Sequence, residues 1–293
     1  MLSILIPSYN SDCVVLVDEL VSQVESLGVG AEIVVVDDGS TDLGIVAENA
    51  SVERNPICRY VVSPMNVGIA RTRNKLLDLA KGDYLLFLDA DTLPASGDFI
   101  KVYMENAGRA DVVVGGMRYR RGSDAAVCPL RLLYGTAREA KTARRRSKTP
   151  YEAFISCNFL ISRRVAEQVR FDETFDRYGH EDTIFGTDLQ NAGFSVLHID
   201  NPVFHDPADT SEEYLSKVRV AIQSLSMHSD RLDGHSSLLG LYDRIDAVGL
   251  TALFRSFFRI FRGRMESNLL GGHPSLFVLD LYRLSYLCSV MKL

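Results

Sequence analysis

Three short apolar runs, Leu2-Ser3-Ile4-Leu5-Ile6, Ile33-Val34-Val35-Val36 and Tyr84-Leu85-Leu86-Phe87-Leu88, each give way abruptly to a polar loop. No other feature of the chain constrains its fold as strongly. A continuous apolar run of this length bounded by turn residues is the pattern of a strand buried on both faces, as in a parallel sheet. The loops are Pro7-Ser8-Tyr9-Asn10, Asp37-Asp38-Gly39-Ser40 and Asp89-Ala90-Asp91. Between the first two runs, Val17, Leu20, Val21, Val24 and Leu27 recur at helical spacing, and Gly28 supplies a stop signal. The segment therefore reads as a βαβ unit.

The alternation continues with Arg59 to Val62 as a strand, Ile69 to Ala80 as a helix, Tyr84 to Leu88 as a strand, and Val112 to Gly115 as a further strand after another helix. Such an order predicts an α/β fold, a mostly parallel sheet flanked by helices. Ligands of open α/β sheets bind outside the carboxyl ends of the strands, which is where all three loops fall. Past about residue 120 the alternation breaks down. Arg131 to Lys148 is basic, Ala153 to Ile161 reads as a strand, and Gly179-His180-Glu181-Asp182 opens a helix that Gly193 ends. From about Leu238 the chain turns aromatic, leucine-rich and arginine-rich, which places a boundary between residues 1–237 and a helical C-terminal extension, 238–293.

Composition excludes several classes of function. With 46% hydrophobic and 24% charged residues over 293 positions, the chain has ample length to bury a core. A net charge of -6 disfavours nucleic-acid binding, which normally needs a basic stripe. Five cysteines without paired close spacing suggest neither a disulfide framework nor a zinc cluster, but buried thiols in a reducing compartment. The N-terminus lacks a basic segment and cleavage site, and no apolar stretch reaches membrane-spanning length, so a cytoplasmic protein is expected.

The loops carry the chemistry. Asp89 and Asp91 either cap the helix after Pro94 or offer hard oxygen ligands to magnesium or manganese, ions that take carboxylates together with substrate phosphates. Asp37 to Asp42 is either a tight turn followed by a Ser or Thr cap, or a source of carboxylate for a base and ribose hydroxyls. Asn66-Val67-Gly68 leads into a helix bearing Arg71 and Arg73, whose spacing lets only one of the two face a common site. Glu181 and Asp182 also suit the dipole at a helix N-terminus.

These motifs, in this order, resemble family 2 glycosyltransferases of GT-A fold: Ile6-Pro7-Ser8-Tyr9-Asn10, Val35 through Asp42, Asn66-Val67-Gly68 with Thr72-Arg73-Asn74, Gly82-Asp83-Tyr84 to Leu88, Asp89-Ala90-Asp91 and Glu181-Asp182. The resemblance covers roughly residues 1–205. It implies a nucleotide-binding half over about 1–116 and an acceptor-binding half over about 117–237. It further implies that Pro7, Tyr9 and Asp38 line the nucleotide pocket, Arg73 lies at the nucleotide end, and Asp89 and Asp91 serve the diphosphate and its Mn2+ or Mg2+, with Asp91 the direct ligand. Asp182 matches the general base, Glu181 an acceptor-holding residue, His205 a metal or phosphate ligand, and Asn158 a donor-sugar contact. The processive Gln-x-x-Arg-Trp signature is absent and the chain has no tryptophan. Transfer of a single sugar follows, from a nucleotide donor such as a UDP-sugar to a glycan or lipid-linked acceptor in surface polysaccharide or lipopolysaccharide assembly.

Two basic features stand apart. Arg144-Arg145-Arg146 with Lys148 is either a solvated face or a contact for a lipid pyrophosphate or anionic headgroup. Phe254, Phe257, Phe258 and Phe261, interleaved with Arg255, Arg259, Arg262 and Arg264, suit a core helix, a homodimer contact or a peripheral membrane helix over 254–264, and the arginines favour the membrane. A non-catalytic nucleotide-sugar-binding or scaffold protein is the rival reading. A sugar-nucleotide pyrophosphorylase is disfavoured, because Pro7-Ser8-Tyr9-Asn10 replaces the glycine-rich basic loop it needs after the first strand.

Overall fold

The structure is a computed structural model that describes residues 1–120, 128–205 and 209–291. In chain order its elements are β1 (Leu2–Ser8), α1 (Val14–Leu27), β2 (Ala31–Asp37), α2 (Leu43–Ala50), β3 (Cys58–Val62), α3 (Ile69–Leu79), β4 (Tyr84–Leu88), β5 (Thr92–Pro94), α4 (Phe99–Asn106), β6 (Val112–Val114) and β7 (Met117–Arg118). There follow α5 (Pro129–Tyr134), α6 (Ala143–Arg146), β8 (Asn158–Ser162), α7 (Arg163–Gln168), α8 (Glu181–Asn191), β9 (Val196–His198) and β10 (Val203–His205). The chain ends in α9 (Ser211–Met227), α10 (Ser229–Leu232), α11 (Ser237–Ala247), α12 (Thr251–Leu269) and α13 (Leu276–Val290).

Seven strands form the main sheet in the order β3-β2-β1-β4-β8-β6-β9. All its neighbours are parallel except β8, which runs antiparallel to both β4 and β6. Every residue of β1 is buried, which is why its sequence is an unbroken apolar run rather than an alternating one. Pro7 does not close this strand as the sequence suggests. The ladder to β4 stops at Leu5–Phe87 while pairing to β2 continues through Ser8–Asp37, so the proline lies past the doubly paired stretch. The strand expected over Ala153 to Ile161 is also shorter: residues 151–157 form turns, and β8 starts at Asn158.

A second sheet, β5-β10-β7, lies after the end of β4 in the chain. Its antiparallel register sets His205 against Thr92, one residue from Asp91. Beneath the carboxyl edge of the main sheet, Phe87 stacks on Phe159 at 4.8 Å and Phe171 on Phe185 at 4.2 Å, and Phe154 completes the aromatic floor. Packed rings in a dry core give the loops above them a rigid base.

The described residues divide into two compact units, one within 1–118, 140–176 and 181–206, the other within 119–139, 177–180 and 207–293. The boundary expected at residue 238 thus falls inside the second unit, because α9 and α5 pack with the later helices and each other. In that unit Phe258 of α12 is buried against Tyr282 and Tyr286 of α13, each 5.3 Å away, so this part of the aromatic stripe is core. All five cysteines are free and buried. No described helix is long and apolar enough to cross a membrane.

Candidate functional site

The loops after β1 and β2 are knitted together by backbone-directed hydrogen bonds. Asn10, in a left-handed conformation at φ 48, accepts from the Thr41 and Asp42 amides at 2.8 and 3.0 Å, and its own N–H donates to Ser40 Oγ at 2.7 Å. Asparagine is one of the few residues that tolerate this conformation. Gly39 has φ 72, and a Cβ there would sit 2.4 Å from the Met65 carbonyl carbon, so only glycine fits. The helix cap is Asp42, which accepts from the Gly44 and Ile45 amides, rather than the Ser or Thr expected from sequence.

The two adjacent aspartates divide their work. Asp37 is turned inward, accepting from Ser40 N, Ser40 Oγ and Tyr60 OH at 2.7 to 2.8 Å. Asp38 accepts from the amides of Val67 and Gly68, both at 2.9 Å, and so fixes the Asn66-Val67-Gly68 loop that starts α3. Pro7 is buried at the end of β1, and Tyr9 just beyond it is exposed.

Arg73 is the hub of the site. It is only 3% exposed, lies 5.2 Å over the Phe171 ring, and meets three carboxylates: Asp89 at 3.1 Å, Glu181 at 3.6 Å and Asp182 at 3.8 Å. Its Nε and Nη1 make no hydrogen bond. The neighbouring Arg71 is solvent-exposed beside Glu173, as the helical spacing requires. Arg73, which the family resemblance sets at the nucleotide end, is thus held by the carboxylates around it.

One guanidinium against three carboxylates leaves a surplus of negative charge in a poorly solvated place. Burial raises the Asp89 carboxyl above its ordinary range, and Asp91 and Asp182 add to the rise while Arg73 opposes it. Glu181 is likewise raised, by burial first and by Asp182 second. Asp182 is held by Ser156, whose hydroxyl donates to one carboxylate oxygen and whose amide donates to the other at 3.3 Å. Ser156 is buried, at the head of the Ser156-Cys157-Asn158-Phe159 segment that resembles the family's donor and acceptor border, and its hold on Asp182, 26 residues away, shows only in the fold.

Asp91, 38% exposed, faces His205 Nε2 at 3.3 Å. The structure thus brings together two of the three expected metal ligands and turns the third, Asp89, towards Arg73. Among the described residues no group of three histidine, cysteine, aspartate or glutamate side chains is positioned to hold a metal ion. A pair of Asp oxygen and His nitrogen donors still fits Mn2+ or Mg2+, which complete their shells with substrate phosphates and water.

Two sequence expectations are overturned. Asn158 is 0% exposed, donates to the Gly116 and Asn201 carbonyls at 2.8 and 2.9 Å, and accepts from Tyr103 OH at 2.6 Å. With these bonds made it ties β8 to α4 and to the loops after β6 and β9, and has no access to a sugar. Arg146, the last arginine of the basic run, is buried and donates to the carbonyls of Val114, Gly115 and Ile199. It is a structural staple, while Arg144, Arg145 and Lys148 remain exposed.

Comparison with known proteins bears on the family and the fold. The model of the family described as glycosyl transferase family 2 matches residues 3–170, more than half of the chain. An uncharacterized glycosyltransferase of Haemophilus influenzae is 34% identical over 96 residues, 33% of this chain and 38% of that protein. The amylovoran biosynthesis glycosyltransferase AmsB of Erwinia amylovora is 26% identical over 214 residues, 69% of this chain and 67% of that protein. The chain therefore spans between about a third and two thirds of these relatives' lengths. Among solved structures, the mannosyltransferase PcManGT from Pyrobaculum calidifontis, in complex with GDP-Man and Mn2+, matches with a TM-score of 0.56 at 15% identity, covering 97% of this chain and 85% of that one. That likeness is one of fold, an α/β GT-A architecture with a helical C-terminal region. By the family match, this chain belongs to glycosyl transferase family 2.

Proposed function

We propose that the protein is an inverting glycosyltransferase that moves a single sugar from a nucleotide donor, a UDP-sugar, to a glycan or lipid-linked acceptor in surface polysaccharide assembly. One observation carries this reading: Asp182, Glu181 and Asp89 gather around the single buried Arg73 at the carboxyl edge of the sheet. A charge surplus held in place against repulsion is a poor stabilising device and a good catalytic one. Relatives described as serving amylovoran and succinoglycan biosynthesis support the pathway.

Each residue has a role that its surroundings suit. Asp182, its two oxygens fixed by Ser156, takes the proton of the acceptor hydroxyl as that oxygen attacks the anomeric carbon. Glu181, next to Asp182 and 3.6 Å from Arg73, helps to hold the acceptor. Arg73 fixes the spacing of the carboxylates. The loop built by Asp38, with Pro7 and Tyr9, receives the nucleotide. Asp91 and His205 are the residues that would hold Mn2+ or Mg2+, whose charge stabilises the departing nucleoside diphosphate.

A panel of nucleotide sugars tested by thermal shift with and without manganese identifies the donor, since a ligand of the native state raises Tm. The expected result is a manganese-dependent rise for one UDP-sugar that Asp91→Asn abolishes, with NMR of the product showing an inverted anomeric centre. A rise with no transfer or hydrolysis of any donor would favour the non-catalytic binding protein.

A further inference from the structure

We infer that α12 docks the protein on an anionic phospholipid bilayer, an inference that does not rest on the donor or acceptor assigned above. The helix carries Arg255, Arg259, Arg262 and Arg264 against the single carboxylate of Glu266, in a chain whose net charge is -6. This local reversal of sign is the first observation. Glu266 is already shared by Arg219, Arg262 and Tyr282 at 2.8 to 3.3 Å, so it does not screen the exposed Arg259 and Arg264.

The second observation is an apolar face on the same helix. Leu253 and Ile260, two turns apart, are 62% and 68% exposed, and Phe257 lies between them on the same face. That face is opposite Phe258, the residue that packs on α13. Of the four arginines, the exposed Arg259 and Arg264 border this face, whereas Arg255 donates to the Cys288 carbonyl of α13 and Arg262 pairs with Glu266. Apolar side chains flanked by arginines on one helix match the boundary between acyl chains and anionic headgroups. A second copy of the chain packed on this face fits poorly, because it would bring Arg259 and Arg264 of both copies together. The charge therefore selects a lipid surface over a dimer.

The test is co-sedimentation of the full chain with phosphatidylcholine vesicles and with phosphatidylcholine–phosphatidylglycerol vesicles. The protein should pellet with the mixed vesicles, stay in solution with the neutral ones, and be released by high salt. Each arginine near an anionic surface contributes about fivefold in partitioning, so Arg259→Gln with Arg264→Gln should weaken binding about 25-fold. Arg259→Lys with Arg264→Lys should restore most of it, and Leu253→Ser with Ile260→Ser should weaken it again at unchanged charge. Unchanged melting of each variant shows that the fold is intact. Equal binding to neutral vesicles, no binding to either, or full binding by the glutamine variant would overturn the inference. So would a concentration-dependent dimer in solution that the serine variant abolishes.

Discussion

Two buried arginines in different units of the molecule show what a functional charge looks like beside a structural one. Arg131 is matched one to one: Glu139 accepts from it at 2.7 Å, and its guanidinium lies 5.3 Å from each of the Tyr119 and Tyr214 rings. Arg73 faces three carboxylates and leaves Nε and Nη1 without hydrogen bonds. Balanced charge with satisfied donors is what folding alone selects. The imbalance around Arg73 is the feature on which the proposed site rests.

Substitutions can break or sharpen this contrast. The largest stability effect is expected at the balanced site: Arg131→Met leaves the half-buried Glu139 with only the Tyr119 hydroxyl as a partner among the described residues and should cost about 3 kcal/mol in urea unfolding. Asn158→Ala removes three buried hydrogen bonds and should cost about 2 kcal/mol while leaving UDP affinity unchanged, as befits a strand tie rather than a sugar contact. Ser156→Ala loosens Asp182 and should lower kcat about tenfold, or about 1.4 kcal/mol of barrier, with KM unaltered.

The smallest effect has the opposite sign. Glu181 titrates higher in the folded protein than in the unfolded chain, so the stability this group contributes is complete below its unfolded pKa and is lost as pH rises through the folded value. Glu181→Gln removes that loss. The variant should match the wild type in acid and exceed it by about 0.5–1 kcal/mol in alkaline unfolding experiments, at the expense of activity. A variant less stable than wild type at every pH would mean that the Arg73 cluster is balanced after all.

Much of the first unit is legible in the sequence because its strands are buried on both faces and announce themselves as apolar runs. The ends of β2 and β4, the glycine stop after α1, and the fact that only one of Arg71 and Arg73 turns to the site all follow from local pattern. What sequence misjudges depends on distant partners. Arg146 looks like part of a solvated basic run until the carbonyls of Val114, Gly115 and Ile199 are seen to converge on it. Asn158 looks available for a sugar until Tyr103, 55 residues away, closes over it. The approach of His205 to Asp91 depends on the pairing of two three-residue strands, too short to leave a periodic signal.

The central claim is that Asp182 acts as a base in a site whose binding parts stand without it. Turnover and manganese-dependent UDP affinity of Asp182→Asn, measured side by side, test it most directly. The account predicts turnover lower by about a thousandfold with Kd for UDP unchanged. Full turnover in that variant would contradict it.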